Sequence, residues 1–266
     1  MASRTKQKEE ARARRLAEER ARAERERRQR RIQMLGDVIL AAVAVVAVAI
    51  AISSSGGSKA TGLQKGSQLA QTKAQVSQLL TGIPQTGPTL GSPSAKVTLE
   101  YYGDLECPVC KSFTLNGGWQ QLVRTDVRQG KVKVVYRAFQ TATTDPSTFN
   151  TQQVAALAAG KQDRFWDYME LFYHQQGTED TGYVNQSYLD GIAAQIPGLN
   201  ISQWNSARND SSLASQVQAD EAAGHTLGVT GTPTLVAKGP KGTVPVSTTS
   251  GVPTYGELQK AIQASE

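Results

Sequence analysis

The two cysteines of the chain, Cys107 and Cys110, stand in the motif Cys-Pro-Val-Cys, and this motif constrains the fold more than any other feature. It follows a run rich in β-branched and aromatic residues, VTLEYY at 97–102, and a short turn, GDLE at 103–106. The first run predicts a strand, and Pro108 favours the first position of a helix that has Cys107 as its N-cap. The pattern therefore predicts a strand, a tight loop and a helix that starts at the first cysteine.

This placement gives the first cysteine a distinct chemistry. The helix dipole and the free N–H groups of the first turn stabilise a thiolate at Cys107 and lower its pKa. Cys110 lies one turn further along, close enough to form a small disulfide ring with Cys107. We expect an external thiol to attack that disulfide at Cys107, with Cys110 as the buried resolving cysteine. The competing interpretation is half of a zinc site, but His174 and His225 lie far away in the sequence, so we expect no metal.

A second signal lies more than a hundred residues later, in the sequence GVTGTPTL at 228–235. Here Thr232 and Pro233 open a β-rich run at 234–237, directly after a turn that contains glycine. A proline that opens a strand after such a turn is a candidate for a cis peptide bond, although most bonds that precede proline are trans.

Taken together, GDLECPVCKSF at 103–113 and GVTGTPTL at 228–235 resemble the DsbA-like thiol–disulfide oxidoreductases, in their membrane-tethered bacterial form. The resemblance covers roughly residues 88–265. The run at 130–139 is similar to the family's second central strand, and the segments 161–176 and 183–204 are similar to its inserted helices.

The resemblance implies an α/β protein with a thioredoxin fold and a helical insertion at about 147–226. It also implies that the bond before Pro233 is cis and that this loop lies beside the two cysteines. The backbone of Thr232 would then pair with a substrate strand, and its side chain would border the Cys107 sulfur and tune the reduction potential.

The sequence departs from the family at two places. Position 109 is valine, where the strongest oxidases carry a histidine that stabilises the thiolate. We therefore expect Pro108 and Val109 to set the potential, and Lys111 is a candidate to compensate by its charge. Gly117 and Gly118 fall inside the expected helix, where each costs about 1 kcal/mol relative to alanine, so we expect a break and a second segment at 119–128.

The N-terminal part of the chain has the pattern of a membrane anchor. Residues 1–31 hold 13 Lys or Arg and six Glu, and residues 38–52 are all Ala, Val, Ile or Leu. Extended back to residue 32, the apolar stretch is long enough to cross a bilayer, at about 1.5 Å per residue. The positive-inside rule then puts the basic tail in the cytoplasm and the C-terminal body outside. A cleaved signal peptide is the alternative.

We therefore divide the chain into a charged cytoplasmic helix at 1–31, a transmembrane helix at 32–53, a linker at 54–87 with a weak helix at 67–80, and the redox domain at 88–266. Residues 32–266 contain 16 basic and 17 acidic residues, so the net charge of this part of the chain is close to zero. Because nucleic-acid binding needs a basic face on the folded part, we expect no nucleic-acid partner.

Two acidic residues flank the motif. Asp104 and Glu106 are candidates for proton transfer from Cys110, but carboxylates in a short loop are more commonly exposed, and we expect that here. Near the C-terminus, the spacing predicts a closing helix at 254–265 with Leu258 and Ile262 turned inward.

The sequence thus predicts an extracytoplasmic thiol–disulfide oxidoreductase, most simply a disulfide-forming oxidase of secreted or membrane proteins. Its chemistry needs no organic cofactor, and the resemblance to the DsbA-like family implies a membrane redox partner that recycles the cysteine pair. A reductase or isomerase that uses the same pair remains open. So does a tethered binding or chaperone module in which the two cysteines are not essential.

Overall fold

The computed structural model describes residues 62–266. It contains six strands, nine α-helices and one π-helical turn at Val123–Val127. The strands are β1 Gln85–Thr86, β2 Thr89–Leu90, β3 Val97–Gly103, β4 Val132–Ala138, β5 Thr234–Gly239 and β6 Gly242–Pro245. The helices are α1 Gly66–Leu80, α2 Pro108–Asn116, α3 Trp119–Leu122, α4 Pro146–Gly160, α5 Phe165–Gln175, α6 Gln186–Ala194, α7 Ile201–Ala207, α8 Ser211–Thr226 and α9 Tyr255–Ser265.

The strands form one mixed sheet in the order β1-β2-β4-β3-β5-β6. The central pair, β3 and β4, is parallel, and β5 lies antiparallel on the other side of β3. Because of these directions, the ends of β3 and β4 and the start of β5 meet at one edge of the sheet. The loops that leave or enter these strands there are the ones that carry both sequence motifs.

Five helices, α4 to α8, stand between β4 and β5. They occupy residues 146–226, close to the predicted insertion at about 147–226. A helical connection of this kind is expected between strands that do not follow each other as a hairpin. The insertion joins the rest of the domain through aromatic packing, since Trp166 of α5 stacks on Trp119 with 4.9 Å between ring centroids.

The predicted break at Gly117 and Gly118 is confirmed, and its reason is a close approach of two backbones. Helix α2 ends at Asn116, and α3 begins at Trp119 and continues into the π-helical turn. A Cβ atom at Gly118 would overlap with the backbone nitrogen of Tyr255, at the start of α9. A larger residue would therefore push the closing helix away. Leu258 and Ile262 of that helix are buried, as predicted.

The helix predicted at 67–80 is confirmed as α1, but its assignment to a linker is wrong. Leu79 and Leu80 of this helix are buried in the core. Arg128 holds the end of this helix, because its guanidinium donates to the carbonyl oxygens of Leu79 and Thr81 at 2.7 and 2.8 Å. The chain from Gly66 onward is therefore part of the folded domain.

The predicted cytoplasmic helix at 1–31 and transmembrane helix at 32–53 lie outside the described residues. Between residues 62 and 266, no helix combines the length and the apolar character that a membrane crossing needs.

Candidate active site

The two cysteines sit at the start of α2, at the sheet edge where the strand ends converge. Cys107 is the N-cap and Pro108 is the first helical residue, as predicted. Both cysteines are thiols, and the Cys107 sulfur accepts a hydrogen bond from the backbone N–H of Cys110 at 3.3 Å. Cys110 is completely buried, whereas Pro108 and Val109 are exposed. Cys107 is buried as well, with 4% of its surface exposed, so a reacting molecule reaches the pair through this small exposed part of Cys107.

The surroundings move the pKa values of the two thiols in opposite directions. The pKa of Cys107 is lowered to about 7, first by its hydrogen bond with the Cys110 side chain, then by Thr232 and by N–H groups of the first helical turn. Burial raises the pKa of Cys110 well above its usual value, and the hydrogen bond and charge of Cys107 add to this rise. Cys107 is thus the cysteine of the pair that ionises first, whereas Cys110 keeps its proton.

The loop at 230–233 forms the other side of the site. The Thr232–Pro233 peptide bond is cis, which confirms the prediction. The Cys107 thiol donates to the Thr232 carbonyl oxygen at 3.3 Å, although the two residues are 125 positions apart. The structure therefore brings all six predicted site residues to one edge of the sheet, with Val109 38% exposed beside the sulfur.

The prediction that Asp104 and Glu106 are exposed is wrong, because both are buried. Burial raises the pKa of Glu106 to about 7. Asp104 ties its own loop to the loop after β4. Its carboxylate accepts from the backbone N–H groups of Glu106, Thr141, Ala142 and Thr143, from the Thr143 hydroxyl and from the Gln152 amide, at 2.6–3.4 Å.

Gln176, just after α5, holds the active-site loop from the side of the helical insertion. Its side-chain amide donates to the carbonyl oxygens of Leu105 and Cys107 at 2.7 and 3.1 Å. Its own carbonyl oxygen accepts from the Lys111 ammonium at 3.1 Å. Lys111 is therefore engaged with backbone, and burial lowers its pKa.

Another buried carboxylate, Glu170 of α5, lies further from the sulfurs. The indole N–H of Trp119 donates to its Oε1 atom, and Oε2 has no hydrogen-bond partner among the described residues. Burial raises the pKa of Glu170 to about 8. A cavity of about 460 Å³, lined in part by Arg124 and His174, adjoins this residue.

Sequence reasoning missed the roles of Asp104, Thr141, Gln176 and Glu170. The sequence shows Asp104 three residues before the first cysteine. It does not show that the hydrogen-bond donors to Asp104, Thr141 and Thr143, lie about 40 positions further along the chain. Within residues 62–266, no group of three or more His, Cys, Asp or Glu side chains is placed to hold a metal ion.

Comparisons with known proteins agree with this architecture. A family model described as thioredoxin matches residues 84–264. A probable disulfide bond formation protein D of Bacillus anthracis is 23% identical over 155 residues, which are 58% of this chain and 70% of that protein. An Na(+)/H(+) antiporter NhaA 1 of Mycolicibacterium gilvum is 31% identical over 159 residues, 59% of this chain but 24% of the antiporter.

Among solved structures, oxidised BdbD of Bacillus subtilis is similar with a TM-score of 0.57 and 21% sequence identity. The match covers 69% of this chain and 96% of that structure. At this identity the similarity establishes the fold, and it confirms the predicted thioredoxin-like α/β architecture.

Proposed function

We propose that this chain, which belongs to the thioredoxin family and is a protein thiol–disulfide oxidoreductase, works in the oxidising direction. In its active form Cys107 and Cys110 are joined as a disulfide. A substrate thiolate attacks the Cys107 sulfur, a mixed disulfide forms, and Cys110 leaves as a thiolate that takes up a proton. A second substrate thiolate then attacks the substrate sulfur of the mixed disulfide and releases Cys107 as a thiolate.

The net reaction converts two substrate thiols into one disulfide and leaves the cysteine pair reduced. An oxidant must therefore return the pair to the disulfide, and we assign this step to a membrane redox partner. The chemistry uses only the two sulfurs and needs no organic cofactor or metal.

The observation that carries the proposal is the contrast between the two thiols. Cys107, with its pKa lowered to about 7, is the better leaving group of the pair at neutral pH. Release of the oxidised substrate from Cys107 is therefore favoured. The buried Cys110 is protected from external thiols and is available to resolve a mixed disulfide.

The loop with Thr232 and Pro233 is our proposed substrate-binding element. It lies beside the sulfur, and its backbone is suited to pair with an extended substrate segment. Pro108 and Val109 form the exposed surface on the other side of Cys107.

We further propose that residues 32–53 anchor the chain in the cell membrane, with residues 1–31 in the cytoplasm and the redox domain outside. The support is the apolar stretch at 38–52 and the charge of the preceding tail. An extracytoplasmic position suits stable disulfide chemistry.

The second candidate is a reductase or isomerase, and Val109 is the observation that favours it. An apolar side chain at this position donates no hydrogen bond to the Cys107 thiolate. The reduced form is then less stabilised than it would be with an imidazole at the same place.

The test is a titration of the full chain, in detergent, against reduced and oxidised glutathione. A reduction potential of about −120 mV supports the oxidase, and one of about −270 mV supports the reductase. The variant Cys107→Ser cannot form the disulfide with Cys110, so it has no dithiol–disulfide couple and is the control for background reactivity. If the wild-type pair shows no reversible couple, both enzyme proposals fail and a binding module remains.

A further inference from the structure

Two residues just before α1, Leu63 and Gln64, are bound to the helical insertion, and we call them the strap. The backbone N–H of Gln64 donates to the side-chain oxygen of Gln175 at 2.9 Å. The Gln64 side-chain amide donates to the His174 carbonyl oxygen at 3.2 Å, and its oxygen accepts from the Thr72 hydroxyl at 2.6 Å. Gln64 therefore joins α1 to the end of α5.

Leu63 attaches the strap a second time, by packing. Its side chain is partly buried against the core of the domain. A Cβ atom at Gly191 of α6 would overlap with the Leu63 side chain, so Leu63 lies directly against the backbone of that helix. The strap thus has an apolar attachment on α6 and a hydrogen-bonded attachment on α5.

The end of α5 depends on donors from other parts of the domain. The last carbonyl groups of a helix have no partner within the helix and need an external donor. At the end of α5 three successive carbonyl oxygens, of residues 174–176, each accept from a side chain of a different segment at 3.0–3.2 Å. The donors are Gln64 of the strap, Tyr188 of α6 and Lys111 of α2. Loss of one donor should therefore loosen this end of the helix.

The same end of α5 carries the residue that holds the active-site loop. The Gln176 side-chain amide donates to the carbonyl oxygens of Leu105 and Cys107 at 2.7 and 3.1 Å. Two adjacent residues, Gln175 and Gln176, thus bind the strap and the active-site loop. The contact with Gln176 helps to keep Cys107 at the helix N-cap, where the N–H of Cys110 reaches its sulfur.

We propose that Gln64 is a positioning residue of the active site, because its hydrogen bonds to the end of α5 hold Gln176 where it binds the active-site loop. This inference rests on the proposed thiol–disulfide chemistry and extends it to a segment outside both sequence motifs. Gln64 does not touch the reacting sulfurs. Release of the strap frees Gln176 to move, and the Cys107 sulfur is then less well placed for attack by a substrate thiolate.

The first experiment uses the variant Gln64→Ala in the full chain, in detergent. We expect the rate constant for oxidation of a dithiol peptide by the disulfide form to fall by about two- to fivefold. Amide hydrogen exchange in the peptide that contains Leu105 and Cys107, measured by mass spectrometry, should become faster. The matched control is Gln68→Ala, at an exposed glutamine of α1 four positions further along. It should change neither the rate nor the exchange.

A second route releases the strap without removing the Gln64 side chain. The variant Gly191→Ala puts a methyl group where Leu63 lies, so we expect the same slower oxidation and faster exchange near Cys107. Adding Leu63→Ala makes room for this methyl group and should restore part of the rate. The control is Gly256→Ala, at an exposed position of α9 where a Cβ atom meets nothing within 4 Å.

A double-mutant cycle separates positioning from a general effect on the fold. If Gln64 acts through Gln176, Gln64→Ala should cause no further loss of rate in a Gln176→Ala background. Equal losses in both backgrounds, or unchanged exchange near Cys107 in Gln64→Ala, would overturn the inference. In both cases a reversible couple with glutathione in the wild-type chain would leave the proposed function intact, whereas absence of that couple would remove the function itself.

Discussion

The domain buries two carboxylates completely, Asp104 beside the cysteines and Glu170 behind the active-site helix, and it treats them differently. The two oxygens of Asp104 accept from six donors, four of them backbone N–H groups. Glu170 accepts from one, the indole of Trp119, and burial raises its pKa to about 8. Asp104 holds the surrounding loops in place. Glu170 is protonated at neutral pH and lies among aromatic side chains.

The difference shows that burial alone does not decide what a carboxylate does. A carboxylate offers about four lone-pair positions. Around Asp104 they are filled by its own loop, by the loop after β4 and by the side chain of Gln152 from α4. Glu170 projects from a helix, whose own N–H groups are already used within the helix, so few donors reach it. The location of a carboxylate in a loop or in a helix therefore determines whether it can serve as a centre of backbone organisation.

The largest effect should come from Asp104→Ala. This change leaves several buried N–H groups without acceptors, and we expect a loss of about 5 kcal/mol in the free energy of unfolding. Denaturant titration measures it. The control is Asp180→Asn, at an exposed aspartate that accepts from the N–H of Thr144 in the same loop. Equal losses in the two variants would show that the six donors around Asp104 find other partners.

The second prediction concerns the protonated side chain at Glu170. The folded state keeps a proton up to about pH 8 that the unfolded chain releases near pH 4.5. The free energy of unfolding should therefore fall as the pH rises between these values, on the order of 4 kcal/mol in total. Glu170→Gln does not titrate, so this part of the pH dependence should disappear.

Stability curves of the wild type and Glu170→Gln, measured from acid to mildly alkaline pH, test this prediction. Glu106 has a pKa raised to about 7 and contributes a slope of the same sign, but it is present in both proteins. The difference between the two curves therefore reports Glu170. Parallel curves would mean that Glu170 is ionised in the folded state.

The smallest effect should come from Gln176→Ala, which tests whether the loops around Asp104 hold the active site without help from the insertion. Two carbonyl oxygens, of Leu105 and Cys107, lose their side-chain donor. We expect a loss of about 2 kcal/mol in stability and slower oxidation of a dithiol peptide. Gln162→Ala is the control, because this exposed amide bonds to the backbone of Asn200, away from the cysteines. A normal oxidation rate in Gln176→Ala would show that the Asp104 side is sufficient.

Much of the fold can be predicted from short stretches of the sequence. The strand before the cysteines, the helix start at Cys107, the break at Gly117 and Gly118 and the cis bond before Pro233 all depend on residues close together in the sequence. Local chemistry sets such features, so local sequence predicts them.

The features that were missed depend on partners far along the chain. Asp104 and Glu106 look like residues of an exposed turn until the loop after β4 folds over them. The spacing at 67–80 predicts helix α1 but not its packing. Leu79 and Leu80 are buried in the core of the domain, and Arg128 caps the end of the helix. Tertiary contacts of this kind override weak local preferences.

The contact between Cys107 and Thr232 also has a consequence for biosynthesis. The two residues are 125 positions apart, and the five helices of the insertion are synthesised between them. Closing so long a loop carries an entropic cost and slows folding. A nascent chain that ends before residue 232 carries both cysteines but lacks one wall of their pocket. The special reactivity of Cys107 thus arises late, when synthesis of the domain is almost complete.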